Sequence, residues 1–189
     1  VVPVAPQAKA DPNVVKYFEK SGTVKSYKFD LYDLKQEIVL GTFTVKGDLA
    51  KFKFVSSQIM KENAPDYVYL NLAEKTAREY CIDKTRCATP GSSWTVEYDL
   101  HGIIFPPDWI ESFKYGTKVR SLTFDRRQVN VLQYQADGKW YEAYIDPFYG
   151  YPLRVAIADD KEMTKIVGGY EYRSMAFNSV KDEEVTPPQ

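Results

Sequence analysis

WYEAYIDPFYGYPLRVAI, residues 140–157, reads as two apolar, aromatic strands with a break between them. The break holds Pro147 and Pro152, one glycine (Gly150) and three aromatics, Phe148, Tyr149 and Tyr151. Proline cannot donate to a strand ladder, and glycine permits a tight backbone, so the segment is a hairpin with a built-in stop. That much aromatic surface at a turn has two readings. The rings tuck back onto an ordinary core, or they sit at the rim of a sheet that meets something greasy, where amphipathic rings suit an apolar–aqueous boundary.

Working outward, the same period-two pattern covers most of the chain. In SYKFDLYDL, Tyr27, Phe29 and Leu31 share a face while Lys28 and Asp30 point the other way. VLGTFTV and KFKFVS continue it, and DYVYLNLA, AREYCI, SWTVEYDL, KVRSLTFD, VNVLQYQ, KWYEAYI, PLRVAIA and IVGGYEYRSMAFN follow. That makes about eleven strands. The connections VKGDL, FDRRQ, ADGK and ADDKEM are short and polar, which predicts an up-and-down antiparallel order with no βαβ units.

Two helical pieces interrupt the strands. In ADPNVVKYFEKSG, Asp11 is an N-cap, Pro12 takes the first helical position, and Val14, Val15, Tyr17 and Phe18 form the apolar side before Gly22. HGIIFPPDWIESFKYG, residues 101–116, is stopped as a strand by Pro106 and Pro107, and PDWIESF reads as one or two helical turns. Its apolar members must pack on a sheet face, as a fixed plug or as a lid over a cavity. A sheet of eleven strands is too large to stay flat and open, so the expected fold is mainly β (α+β): one strongly curved antiparallel sheet wrapped around small helices.

Length and composition narrow the function classes. A chain of 189 residues favours one domain, expected over residues 12–189 behind a flexible tether at 1–11. The opening VVPVAPQAKADP, rich in proline and alanine, reads as a tether left after a removed export signal or as a plain disordered end. A net charge of −1 gives no basic excess for nucleic acid. No apolar run approaches the roughly 20 residues of a membrane helix. Cys81 and Cys87, in REYCIDKTRCATPG, are spaced too widely for a CxxC redox or zinc pair. They are expected to close a hairpin-end disulfide, which implies an oxidising compartment; the other reading is two free thiols of a cytosolic protein.

Catalytic signals are few. The single histidine, His101, sits beside Gly102 and reads as a loop residue. There is no HExxH, no GxSxG elbow, no P-loop and no GxGxxG after a strand. Asp159–Asp160 and Asp182–Glu183–Glu184 lie in polar turns or the tail and read as solvated acids. No enzyme activity, cofactor or metal is expected. What the chain has is apolar surface, fit either for a sandwich core or for a pocket with few polar fixtures. Alternation places Phe29, Phe43, Phe52, Phe54, Trp94, Val96 and Phe124 on an inner, lipid-binding face, and the inserted segment adds Ile104, Trp109 and Phe113.

Three stretches resemble the extracytoplasmic lipoprotein-carrier superfamily, LolA/LolB-like, which includes lipid-binding lipoproteins and RseB-like regulators. LGTFTVKGDLAKFKF is similar to its early hairpin, WYEAYIDPFYGYPLRVAI to a late hairpin with a Gly-x-Pro turn, and YEYRSMAFNSVKDEEVTPPQ to the last strand and closing TPP tail. The resemblance implies a half-barrel of about eleven antiparallel strands whose helices plug an apolar cavity for acyl chains. It implies an extracytoplasmic protein, periplasmic or secreted and possibly membrane-tethered, holding a lipid or a lipidated protein, with a membrane surface or a membrane-bound protein as partner. A second implied role is a sensor or protein-interaction domain of the same fold with no transport function. Carriers have arginine and proline after the first Val-Lys; here Gly47 and Asp48 follow Lys46, so no residue carries the lid-locking role. Lipid binding, not shuttling between two membrane complexes, is what survives that departure.

Overall fold

The computed structural model describes residues 9–55, 65–85, 87–98 and 103–188. His101 and the first eight residues of the expected tether lie outside them. Among the described residues, eleven strands form one antiparallel sheet. They are β1 (Ser26–Asp33), β2 (Ile38–Lys46), β3 (Leu49–Phe54), β4 (Tyr67–Asn71), β5 (Thr76–Cys81), β6 (Ser92–Val96), β7 (Thr117–Phe124), β8 (Arg127–Ala136), β9 (Lys139–Ile145), β10 (Pro152–Ala158) and β11 (Ile166–Phe177). Their order is β6-β5-β4-β3-β2-β1-β11-β10-β9-β8-β7, so the sheet has two ends and does not close into a barrel. The chain divides into two compact units, residues 1–24, 32–38 and 102–173 in the first and 25–31, 39–101 and 174–189 in the second.

In the first unit, two hairpins owe their tightness to two-residue turns. Asp125 and Arg126 join β7 to β8, and Asp137 and Gly138 join β8 to β9, all four with positive φ. That backbone matches the right-handed twist of the strands it connects. The break in residues 146–151 is organised by Asp146. Its carboxylate, buried at 4% exposure, accepts from Phe148 N at 2.9 Å and Tyr149 N at 2.8 Å, while Gly150 N donates to its carbonyl at 2.9 Å. Arg127 Nη1 reaches the same carboxylate at 3.1 Å. Gly150 is needed where it stands: its φ is +69°, and a Cβ there would collide with the Tyr17 carbonyl and the Phe18 Cα. So the turn is pressed onto the N-terminal segment. Tyr151 is buried, whereas Phe148 stays 59% exposed with the Lys20 ammonium 4.6 Å above its ring.

That N-terminal segment is shorter as a helix than its pattern suggests. α1 covers Pro12–Val15 only, capped by the Asp11 side chain on Asn13 N, and runs on as 3-10 turns at Lys16–Phe18 and Ser21–Thr23. Val14 and Phe18 are its buried residues. The inserted segment is a 3-10 turn, Pro106–Trp109, followed by α2, Ile110–Phe113.

The second unit is a hairpin stack with a stacked-ring spine. Phe29 lies 5.5 Å from Phe43, Phe43 4.4 Å from Phe52, and Phe52 4.8 Å from Phe54. Gly41 stands where any Cβ would meet the Phe52 ring and the Lys53 carbonyl, so glycine lets that ring lie flat on β2. Cys81 and Cys87 are joined by a disulfide, with Cα atoms 5.7 Å apart. Asp66 holds the loop they close: its buried carboxylate accepts from Ile82 N at 2.7 Å and Asp83 N at 2.6 Å. A final helix, α3 (Asp182–Val185), buries Val185.

Candidate functional site

The first unit holds a pocket of about 360 Å³. Its walls are Ile104 and Trp109 from the inserted segment, Tyr141 of β9, Ile157 of β10, and Val167, Gly168, Gly169 and Tyr170 of β11. Asp33, Lys35 and Lys139 border it as well. The sheet side of the wall follows from register. Tyr141 pairs with Ile157 and Ile157 with Gly168, while Ala143 pairs with Val155 and Val155 with Tyr170. Paired residues share a face, and so do alternate residues along each strand. Leu132 and Tyr134 of β8 continue the same two rows.

Glycine makes the room. At Gly168 an added Cβ would touch only Ile157 Cδ1, at 4.0 Å, so the space over this position is open. At Gly169 the φ is +115° and a Cβ would run into the Val155 carbonyl, which ties β11 closely to β10.

The helical wall is fixed by one buried phenol. Tyr172 has 0% exposure. Its hydroxyl accepts from Trp109 Nε1 at 2.9 Å and donates to the Ile104 carbonyl at 2.7 Å. The only polar atom of a buried indole and the Ile104 carbonyl are therefore both satisfied by one side chain. Behind this, Phe113 packs edge-on to Tyr134 at 4.9 Å, and Tyr134 stacks on Tyr141 at 4.7 Å. Burial pushes the phenol pKa of Tyr134, Tyr141 and Tyr170 upward, with the charges of Asp137 and Asp33 adding to the effect at Tyr141 and Tyr170. At neutral pH these phenols are thus uncharged. The arrangement can hold an apolar chain.

The second unit has a larger pocket of about 520 Å³, lined by Thr42, Lys53, Phe54, Val55, Asp66, Tyr67, Ile82 and Asp83. Its polar and charged groups make it unlike an acyl-chain site, despite its size. Asp66 and both cysteine sulfurs lie within 4.8 Å of one another, but the sulfurs are joined to each other, which removes them as metal ligands.

The ten residues read as a lipid-binding face are spread over several environments. Ile104 and Trp109 line the smaller pocket, and Phe113 packs behind it. Phe54 lines the larger pocket, while Phe29, Phe43 and Phe52 form the buried ring spine. Trp94 and Val96 are half-buried on β6, the former donating to Glu79 at 2.7 Å. Phe124 packs on Tyr144, on the face of its unit's sheet that turns away from Trp109. Sequence reading missed Tyr141, Ile157, Val167 and Tyr170. Alternation with Glu142, Ala156 and Glu171 marks Tyr141, Ile157 and Tyr170 as one face, whereas Val167 reaches the pocket from the register shift between β10 and β11; nothing local says which face the inserted segment covers.

No family model and no curated protein matches the chain. The chain is similar over 93% of its length to MucB in a complex with MucA(peri), at 9% identity and a TM-score of 0.45. It is similar to the Pseudomonas aeruginosa MucA/MucB complex at 8% identity and 0.46, and to MucB alone at 11% and 0.45. It spans about 60% of those chains. Similarity to PNGF-II is lower, with a TM-score of 0.36 over 87% of this chain and 30% of that one.

Proposed function

We propose that this protein is an extracytoplasmic binding protein that holds one acyl chain, of a lipid or a lipidated protein, in the pocket between the inserted segment and β9–β11. The observation that carries this reading is the pocket itself: apolar walls, a glycine, Gly168, that leaves space, and neutral phenols. Its volume lies at the low end for small-ligand sites, which suits a single chain better than a whole lipid. Lys35 and Lys139, the latter paired with Asp159, border it, and an ammonium at the border suits a carboxylate or phosphate head. The disulfide supports an oxidising compartment. Among the described residues no helix is long and apolar enough to cross a membrane. The proposal keeps residues 12–189 as one functional domain behind a tether at 1–11. The inserted segment acts as a wall more than as a lid, since Trp109 and Phe113 are fully buried and Trp109 is hydrogen-bonded in place.

The test is native mass spectrometry after gentle purification, with organic extraction, followed by uptake of a fluorescent long-chain fatty acid. Co-purified lipid and saturable uptake are expected. Gly168→Met should block uptake while leaving the urea midpoint nearly unchanged, because the side chain fills open space. A clean chain that takes up no fatty acid ends this reading.

A second reading is a protein-interaction domain of the same fold. One observation favours it: β7 ends the strand order, and Thr117–Ser121 is exposed throughout, with Val119 at 43%. Such an edge can receive a partner's strand through main-chain hydrogen bonds.

A further inference from the structure

The second unit carries a face that the lipid reading does not use. Across β2, β3, β4 and β5, register places Thr42, Lys53, Tyr67 and Tyr80 in one row. Thr44, Lys51, Tyr69 and Arg78 form the next. Three cations and three phenols therefore lie side by side in two adjacent rows of one sheet face. The rings and charges touch: Lys51 Nζ lies 5.7 Å from the Tyr67 centroid, and the Arg78 guanidinium 5.7 Å from that of Tyr80. Lys51, Lys53 and Arg78 form no ion pair among the described residues. Lys53 and Arg78 are exposed.

The same face already receives carboxylates at its border. α3 packs on β3. Asp182 meets Lys46 at 2.7 Å, and Glu184 meets Lys28 at 3.6 Å. Lys46 lies two residues beyond Thr44 on β2, and Lys28 lies on the neighbouring strand β1. Burial lowers the Lys51 pKa, and the charge of Glu184 opposes that loss. The chain's own acids, two residues apart, thus show which chemistry the lysines accept. A membrane surface would call for protruding apolar anchors, and the two rows carry none. A nucleic acid would call for a basic excess, and the chain has a net charge of −1.

We propose that this face of β3–β5 is a docking surface for an extended acidic polypeptide segment, whose carboxylates reach Lys51, Lys53 and Arg78 while its backbone lies over Tyr67 and Tyr69, and that the Asp182–Glu184 turn occupies the neighbouring part of the same surface in cis. The surface is distinct from the proposed acyl-chain pocket and stands or falls without it.

The experiment is fluorescence anisotropy of a labelled oligo-glutamate peptide with the full chain at low ionic strength. Vesicles of phosphatidylglycerol and a single-stranded oligonucleotide serve as competing probes. Saturable peptide binding that weakens with salt is expected. Lys53→Gln with Arg78→Gln, both exposed and so harmless to folding, should weaken it roughly fivefold to tenfold. Asp182→Asn with Glu184→Gln, which releases the acids held in cis, should tighten it roughly threefold. No peptide binding at low ionic strength overturns the proposal. So does binding unaffected by the double lysine–arginine variant, or binding of vesicles or oligonucleotide without the peptide. Unchanged affinity in the Asp182/Glu184 variant overturns the claim that the turn shares the surface.

Discussion

The two faces of β8–β11 in the first unit are both largely buried, but they are held by opposite means. One face presents Leu132, Tyr134, Tyr141, Ala143, Val155 and Tyr170 to the inserted segment. The other presents Val131, Gln133, Glu142, Tyr144, Arg154 and Glu171. At its centre is Glu142, 1% exposed. Its carboxylate accepts from Arg120 at 2.8 Å, Gln133 at 2.9 Å and Arg154 at 3.2 Å. From Arg154 the pairing continues to Glu171 at 3.4 Å and on to Arg173 at 2.6 Å. Burial opposes the charge on Arg120, yet Glu142 and Tyr144 together outweigh it and hold the guanidinium pKa above its usual value. The lesson is that a strand of alternating pattern can bury both sides, provided every charge on the polar side has partners.

The sharpest break of the apolar face is Trp109→Ala. It removes a fully buried indole and deprives Tyr172 of its donor. A loss of about 3–5 kcal/mol is expected, measured by urea unfolding. Trp109→Phe keeps most of the ring area and should cost about 1–3 kcal/mol, chiefly for the lost hydrogen bond from the indole to the Tyr172 hydroxyl. If the two variants cost the same small amount, the segment is not a wall. Hydrogen exchange gives the matching readout: amides of residues 103–113 should exchange slowly with and without fatty acid.

The charged face is probed by Glu142→Gln. The neutral amide leaves Arg154, only 11% exposed, without its carboxylate partner on that side, while Arg120 at 46% can turn to water. The expected loss is about 2–3 kcal/mol, below that of Trp109→Ala because solvent relieves one partner. A change within about 0.5 kcal/mol would mean that Glu142 is not what holds this face.

How far each face was legible in the sequence follows from the range of its contacts. Period-two alternation located all eleven strands, because strand geometry is local. The Cys81–Cys87 bond was legible for the same reason: six residues and a polar turn bring the thiols together. Glu142 was not. In WYEAYI a lone acid among apolar residues looks like an ordinary outward charge, and its partners arrive from β7, β8 and β10. The Trp109–Tyr172 bond spans 63 residues, and no local pattern encodes it. The pocket was only half visible. Ile104 and Trp109 were picked out by their place in an apolar insertion, whereas Gly168 and Tyr170 became wall residues only through the register of β10 with β11.

Tyr151 offers the smallest and most selective test of how dry the apolar side is. It follows the Asp146 turn, with its carbonyl accepting from Asp146 N at 2.8 Å, and it is 5% exposed. Burial raises its phenol pKa to about 12, and the negative charge of Asp108 adds to the shift. In the unfolded chain the same group titrates near pH 10. Between those two values the unfolded chain releases the proton and the folded chain keeps it. Stability is therefore complete below about pH 10 and falls as pH rises toward 12. At pH 11 this single group accounts for a loss of about 1 kcal/mol. Urea unfolding at pH 8 and pH 11 measures it directly. Tyr151→Phe should show an alkaline loss smaller than the parent chain's by about that amount. It should not be immune, since Tyr134, Tyr141 and Tyr170 are raised by burial too. An identical loss in both proteins would mean that water reaches the phenol, and that the turn closing the 140–157 hairpin is wetter than its packing against Tyr17 and Phe18 implies.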